Sequence, residues 1–243
     1  TDASYGNAHE GHGHFQGKRS TALVNWDWVG GPFYDPPSWV ADSLNAIRSR
    51  MGLAAIAGDK IQYGYWAPVV RRVNVGGQEI LRMYYSIIID NYIKTGKAAT
   101  SANFDGSWGE RAFIGMCEST DPAGAVWTDR GFVTCSASDR GLNYNRASTN
   151  DWSAYFYYNA IDPTYIVSPD GKHYLIHGSW HSGFALLQLN ATTGKPLNTL
   201  GNPWANSAGE LASRYGVRIG TRTTNSRWQG SEAPEIIYKD GYY

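Results

Sequence analysis

Cysteine is nearly absent: 2 in 243 residues cannot staple a domain together, so a disulfide scaffold is excluded and the fold must rest on its core. Net charge is absent too, with 21 Lys+Arg set against 21 Asp+Glu. Binding to phosphate backbones or anionic membranes draws on a basic surplus, so nucleic acid is not expected as a partner and a neutral one is. Charged residues make up only 17%, below the usual ~25%. No stretch approaches the roughly 18 consecutive apolar residues of a membrane span. The chain also lacks a G-x-S-x-G elbow, a Gly-rich phosphate loop and a C-x-x-C pair, which counts against acyl transfer, phosphoryl transfer and structural zinc.

What is plentiful is glycine and aromatic surface: 28 Gly, 10 Trp and 17 Tyr. Helical periodicity is confined to Pro37–Met51, where Trp39, Val40, Leu44 and Ile47 recur at spacings of three and four. Elsewhere apolar residues come in short β-branched or aromatic runs bounded by turn residues, as in Ile80–Ile89, Ala112–Cys117, Thr164–Val167, His173–His177 and Phe184–Leu189. The class is all-β.

Three segments align on their prolines. Ala67-Pro68-Val69-Val70 leads to Leu81–Tyr85, Asp162-Pro163 through Val167 leads to Lys172–Leu175, and Ala233-Pro234-Glu235-Ile236-Ile237 leads to Asp240–Tyr243. Each reads as a proline-initiated strand, a Gly-containing turn and a second strand. The prolines are 95 and 71 residues apart, which suits a four-stranded propeller blade followed by a long loop. Further strands are predicted at Ala112–Glu118 with Val126–Val133, and at Phe184–Asn190 with Pro196–Leu200. Residues 1–243 then read as part of a single β-propeller domain: the tail of one blade (His14–Gly30), two whole blades and the opening of a fourth. Such a set cannot close a ring and leaves open sheet edges, so the rest is expected on another chain or in missing segments.

The run His9-Glu10-Gly11-His12-Gly13-His14 offers three imidazoles, but Gly11 and Gly13 deny it the helical spacing of a zinc protease, and it reads as a solvated or substrate-lining loop. Cys117 and Cys135 lie at the ends of neighbouring predicted strands and read either as a disulfide or as two buried thiols. Asp162, just before Pro163, and Glu232, two residues before Pro234, occupy corresponding points of two repeats. In a propeller the first strand of each blade lines the channel, so these carboxylates converge. Paired carboxylates are what glycosidic cleavage requires, one protonated acid for the leaving oxygen and one carboxylate to activate water. The plainer reading is that Asp and Glu before proline start turns. Aromatic rings, including Tyr155-Phe156-Tyr157-Tyr158 upstream of Asp162, pack against flat sugar faces; those in loops, such as Trp180, are better binding candidates than those in strands.

These residues carry a resemblance. Asn159-Ala160-Ile161-Asp162-Pro163, Gly178-Ser179-Trp180-His181-Ser182-Gly183 and Gly230-Ser231-Glu232-Ala233-Pro234, with Trp66-Ala67-Pro68 upstream and turns at Asp170-Gly171-Lys172 and Thr193-Gly194-Lys195-Pro196, resemble glycoside hydrolase family 43, and within it the endo-1,5-α-L-arabinanases. The resemblance implies a five-bladed β-propeller, of which this chain supplies about three blades, that hydrolyses arabinan with inversion. It makes Glu232 the general acid and Asp162 the auxiliary Asp that orients it and tunes its pKa, since a neighbouring negative charge keeps a carboxylic acid protonated. The family's general base is an Asp before Pro in the first strand of the first blade, which would lie before Thr1. Asp35-Pro36 falls in a loop and Asp121-Pro122 in a turn between outer strands, so neither substitutes. Sugar contacts implied are Trp66, Asn159, Ser179 and Trp180, with Phe156 and Tyr157 behind them. No cofactor is required. The family leaves room for a structural calcium or other cation at the channel centre; no metal ligand is assigned, and His177 and His181 read as strand burial or subsite.

The runner-up within the family is an exo-acting arabinofuranosidase or xylosidase, because the loops Pro32–Tyr65, Ser136–Tyr158 and Gly201–Gln229 can leave the groove open or block it. From another class, a noncatalytic carbohydrate-binding propeller subunit fits the missing base. An arabinan substrate implies a secreted protein or one at the bacterial cell surface or periplasm, although no signal peptide is visible. Asn190-Ala191-Thr192 fits a glycosylation sequon at a strand end.

Overall fold

A computed structural model describes residues 15–50, 54–58, 63–89, 93–94, 104–105, 112–136, 158–180, 182–198, 215–222 and 230–243. The imidazole run 9–14, the aromatic cluster at 155–157 and His181 lie outside the described residues.

Two four-stranded antiparallel sheets dominate. The first runs β3 (Tyr63–Val75), β4 (Gln78–Ile89), β7 (Ala112–Ser119) and β8 (Thr128–Cys135) side by side; the second runs β9 (Thr164–Val167), β10 (His173–His177), β11 (Phe184–Leu189) and β12 (Val217–Gly220). Each meanders from the strand at the repeat's proline: β9 starts directly after Pro163, as the repeat predicts, whereas β3 starts five residues before Pro68, which lies inside the strand. A separate hairpin pairs β1 (Gly17–Arg19) with β2 (Asp27–Gly30), and β5 (Ile93–Lys94) pairs with β6 (Phe104–Asp105). The predicted helix is α1, Ser38–Arg50.

Period-two patterning sorts the side chains into two cores. In β4, Met83, Tyr85 and Ile87 join one buried cluster and Ile80, Tyr84 and Ile88 the other; in β7, Phe113 and Cys117 join the first and Ala112, Ile114 and Met116 the second. The first cluster is covered by Val40 and Leu44 of α1 together with Phe15 and Phe33. The second lies between the sheets, where Tyr165, Leu175, Leu187 and Leu189 meet the first sheet. β7 is therefore apolar on both faces. Gly115 within it has no room for a side chain, since a Cβ there would lie 2.6 Å from the rings of both Trp39 and Tyr85.

The turn that follows β11 locks the sheets together. Arg82 of β4, wholly buried, donates to Glu118 at 2.8 Å, to Ala191 O at 3.0 Å and to Thr192 O at 2.9 Å. Tyr84 donates to Gly194 O at 2.7 Å, and Lys195 Nζ reaches back to Arg130 O at 2.6 Å and Phe132 O at 2.6 Å.

Three expectations change. Pro196–Asn198, the described part of the strand expected at Pro196–Leu200, does not form one: Asn190 Oδ1 collects the N–H groups of Thr192 and Thr193, folding the chain into the locking turn, and Pro196 makes only an isolated bridge to Leu189. The fourth strand is β12 instead. Val126–Val133 slides to Thr128–Cys135, because Asp121 Oδ2 holds Ala125 N–H in the preceding turn at 2.9 Å. Residues 234–237 pair with no neighbour among the described residues; only the Asp240-Gly241 turn forms, with Lys239 bridging Tyr242. The cysteines are both free and buried.

Candidate functional site

The three prolines of the repeat share an unusual backbone. Ala67, Asp162 and Ala233, each directly before its proline, have φ of 48°, 53° and 53°. A residue before proline normally takes extended geometry, and left-handed backbone is costly for any residue but glycine. In β3 the cause is visible: Ala67 and Pro68 together stand opposite Tyr85 alone, forming a bulge that turns Tyr65 toward the first core and Val69 toward the second. Equivalent geometry at residues 162 and 233 makes the repeat a structural one. The segments also lie side by side, since Glu235 accepts from Arg71 at 2.7 Å and from Thr164 Oγ1 at 3.4 Å. Sequence reasoning passed over Glu235; the signal was its place directly after Pro234, matching Thr164 after Pro163.

Asp162 and Glu232 come together through the loop 178–183 between β10 and β11. Ser179 Oγ donates to Asp162 Oδ2, which also accepts the Ala233 backbone N–H at 3.2 Å. The Trp180 indole N–H donates to Glu232 Oε2 at 3.0 Å, and the Trp180 backbone N–H to Ser231 O at 2.8 Å. Gly178 N–H in turn donates to Ile161 O at 3.0 Å. The motif segments around residues 161, 180 and 232 thus meet at one point, with the Glu232 carboxylate exposed and Asp162 half-buried beside it.

The predicted sugar contacts separate into two kinds. Trp66 is half-buried beside the β3 bulge and Trp180 half-buried next to Glu232. Asn159 and Ser179, at 1% and 0% exposure, sit behind the surface. Asn159 Oδ1 accepts from Ser136 Oγ at 2.9 Å, and that hydroxyl also receives the N–H groups of Ala112 and Ala160 at 3.1 and 3.2 Å, so Asn159 anchors the Asp162 loop to the first sheet. Behind it, His177 places Nδ1 3.0 Å from Asn159 O and Nε2 3.3 Å from Tyr215 O. Full burial depresses the His177 pKa against the opposing pull of those two carbonyls.

Asp121 lies in the turn between β7 and β8, where the N–H groups of Ala123 and Ala125 hold its pKa down. It plays a local turn role, just beyond the Ser119 end of β7. Among the described residues no three His, Cys, Asp or Glu side chains gather into a metal-binding group. No helix among them is long and apolar enough to cross a membrane.

The extracellular endo-alpha-(1->5)-L-arabinanase 1 of Bacillus subtilis is 30% identical over 130 residues, covering 54% of this chain and 30% of the relative. The extracellular endo-alpha-(1->5)-L-arabinanase of Thermotoga petrophila is 24% identical over 240 residues, covering 95% of this chain and 40% of the relative. The chain thus spans less than half the length of these curated relatives. The solved GH43 endo-arabinanase from Bacillus licheniformis shares the fold, with a TM-score of 0.52 at 23% identity over 95% of this chain and 56% of that one. The model of glycosyl hydrolases family 43 matches residues 4–243, spanning all three proline-led repeats and both carboxylates, and the chain belongs to that family.

Proposed function

We propose that this chain is the acid-bearing part of an inverting glycoside hydrolase that cleaves α-1,5-linked L-arabinan internally. The observation that carries the reading is the meeting of Asp162 and Glu232 through the 178–183 loop, in a family 43 chain whose curated relatives are named as endo-arabinanases. The two sheets are then successive blades of a five-bladed propeller, with β1–β2 closing the blade before them and residues 234–243 opening the one after. The general base and the remaining blades come from polypeptide outside these 243 residues. The coverage of 56% of the solved relative supports this.

In this reading Glu232, protonated, gives its proton to the glycosidic oxygen as the bond to the anomeric carbon breaks. A water on the opposite face, losing its proton to the base, forms the new bond with inversion. Asp162 contributes a fixed negative charge and holds the backbone beside the acid. Trp66, half-buried at the rim, and the exposed part of the Trp180 ring supply apolar faces for the sugar. A polymeric plant cell-wall substrate places the protein outside the cell or at the bacterial surface or periplasm, in keeping with relatives named as extracellular.

The test is hydrolysis of debranched arabinan by the native protein that carries this chain, before and after Glu232→Gln. A ladder of oligosaccharides from wild type and an about 10²–10⁴-fold loss in the variant, with unfolding unchanged, is the expected result. Monosaccharide as the sole product would make the action exo, and undiminished activity of the variant would remove Glu232 as the acid.

A further inference from the structure

The loop between β10 and β11 grips the acid-bearing segment residue by residue. Ser231 O is held by the Trp180 backbone N–H at 2.8 Å, Glu232 Oε2 by the Trp180 indole N–H at 3.0 Å, and the Ala233 N–H by Ser179 Oγ at 3.1 Å. Two adjacent residues therefore make contacts to three consecutive ones on another blade. The Ser179 hydroxyl completes the junction by donating to Asp162 Oδ2, tying the second carboxylate to the same backbone.

The loop that does this is built against its own conformational preference. Trp180 and Ser182 have φ of 65° and 56°, and Gly178 and Gly183 have φ of 124° and 91°. Left-handed backbone in non-glycine residues persists only where surrounding structure enforces it, and such strain gathers at functional sites. The enforcement is close packing: a Cβ on Gly183 would lie 2.0 Å from Gly220 O, and one on Gly178 would lie 2.5 Å from Gly183 O. Such a loop has little freedom to follow a substrate. Ser179, at 0% exposure, is out of reach of a polysaccharide, and the Trp180 N–H is engaged by Glu232.

We propose that Gly178, Ser179 and Trp180, backed by Ser182 and Gly183, form a rigid clamp for the acid, in which Ser179 and Trp180 act as positioning residues: Ser179 through Asp162 and Ala233, Trp180 through the Glu232 carboxylate. This rests on the assignment of Glu232 as the acid. It assigns the Ser179 hydroxyl and the Trp180 N–H to holding the acid, leaving only the Trp180 ring face for sugar.

The experiment compares Ser179→Ala, Asp162→Asn and the double variant on linear arabinan, using the native protein that carries this chain. Ser179→Ala is expected to lower kcat by about 10- to 100-fold while KM stays within about twofold, the signature of lost positioning. Added to Asp162→Asn, the same change should cost less than about threefold more, because the two residues act as one unit. Fully additive effects, or a raised KM with unchanged kcat, would overturn the proposal. Trp180→Phe keeps an aromatic face and removes only the N–H, so kcat should fall about tenfold at constant KM. A pure KM effect there would make Trp180 a sugar platform, and this variant decides the matter alone if Ser179→Ala fails to fold. Glu232→Gln separates the two levels: if it stays active the acid assignment falls, whereas an inactive Glu232→Gln beside fully active Ser179→Ala and Trp180→Phe refutes the clamp alone.

Discussion

Asp162 Oδ2 accepts the backbone N–H of Ala233 at 3.2 Å, so a carboxylate directly before Pro163 holds the residue between Glu232 and Pro234. Asp162 does this from a φ of 53°, which Asp and Asn tolerate better than other non-glycine residues. Asp162→Asn should therefore keep the fold and an acceptor oxygen while removing the charge, lowering kcat about 10²-fold with little change in the urea midpoint. Asp162→Ala should lose similar activity and in addition about 1–2 kcal/mol of stability, because alanine is forced into left-handed backbone. If both variants lose activity only in proportion to their unfolded fraction, Asp162 is a structural residue and nothing more.

The strands were most legible where local chemistry decides them. Thr164–Val167, His173–His177 and Phe184–Leu189 are bounded by proline, glycine or aspartate turns, and the structure keeps those bounds. β12 was not legible: Val217, Arg218 and Ile219 are exposed on an outer strand and show no buried-face pattern, while apolar Pro196 and Leu197 nearby looked more strand-like. Pairing across residues 199–214 is non-local information that composition does not carry. The site divides the same way. Alignment on proline singled out Asp162 and Glu232, which the structure ties to the neighbouring residues Ser179 and Trp180, because the repeat is written in residue types. The clamp could not be read, since the Trp180–Glu232 bond spans 52 positions and a donor in a loop does not name its acceptor. Left-handed backbone before three prolines was likewise hidden, because the local rule points to the opposite geometry.

Arg82 should be the costliest single side chain to remove. Its guanidinium is fully buried and satisfied by Glu118, Tyr165 and the carbonyls of residues 191 and 192, so losing it leaves Glu118 with Arg130 as its remaining ion-pair partner and removes the donor to two carbonyls between the sheets. Arg82→Met is expected to cost about 3–5 kcal/mol in urea unfolding, the range for breaking a buried pair. Tyr84→Phe, which loses one neutral hydrogen bond to Gly194 O, should cost about 1 kcal/mol. The exposed Arg72–Glu79 pair should contribute no more than about 1 kcal/mol. A ranking in which Arg72→Met equals Arg82→Met would contradict the interlocking turn.

Stability should fall on mild acidification. Burial lowers the pKa of both His173 and His177, with the Arg82 charge adding to the effect at His173. A histidine whose folded pKa lies below its unfolded value of about 6.5 takes up its proton more readily in the unfolded chain. Stability is therefore whole above about pH 6.5 and declines as pH drops through that value toward the depressed folded pKa. Urea midpoints measured from pH 7.5 to 5 should show this decline, and His177→Gln, though less stable at neutral pH, should flatten it. A midpoint that stays constant over that window would show that neither imidazole is held neutral.

Both thiols should be inert in the native protein and both free after unfolding. Cys135 stands opposite Phe113 in the β7–β8 ladder, while Cys117 lies four residues further along β7. That offset is about 13 Å of strand, roughly twice the largest Cα separation a disulfide spans. Burial first, then the nearby Asp129 and Glu118 charges, raises the Cys117 pKa well above its usual value, which suppresses the reactive thiolate. A thiol-alkylating reagent read out by peptide mapping should accordingly label neither Cys117 nor Cys135 within minutes in the native protein, and both in denaturant without added reductant. Fewer than two labelled in denaturant would mean that the cysteines are bridged, and since the register forbids an intrachain bridge, the shortfall would point to a bond with another molecule or to a different pairing of β7 with β8.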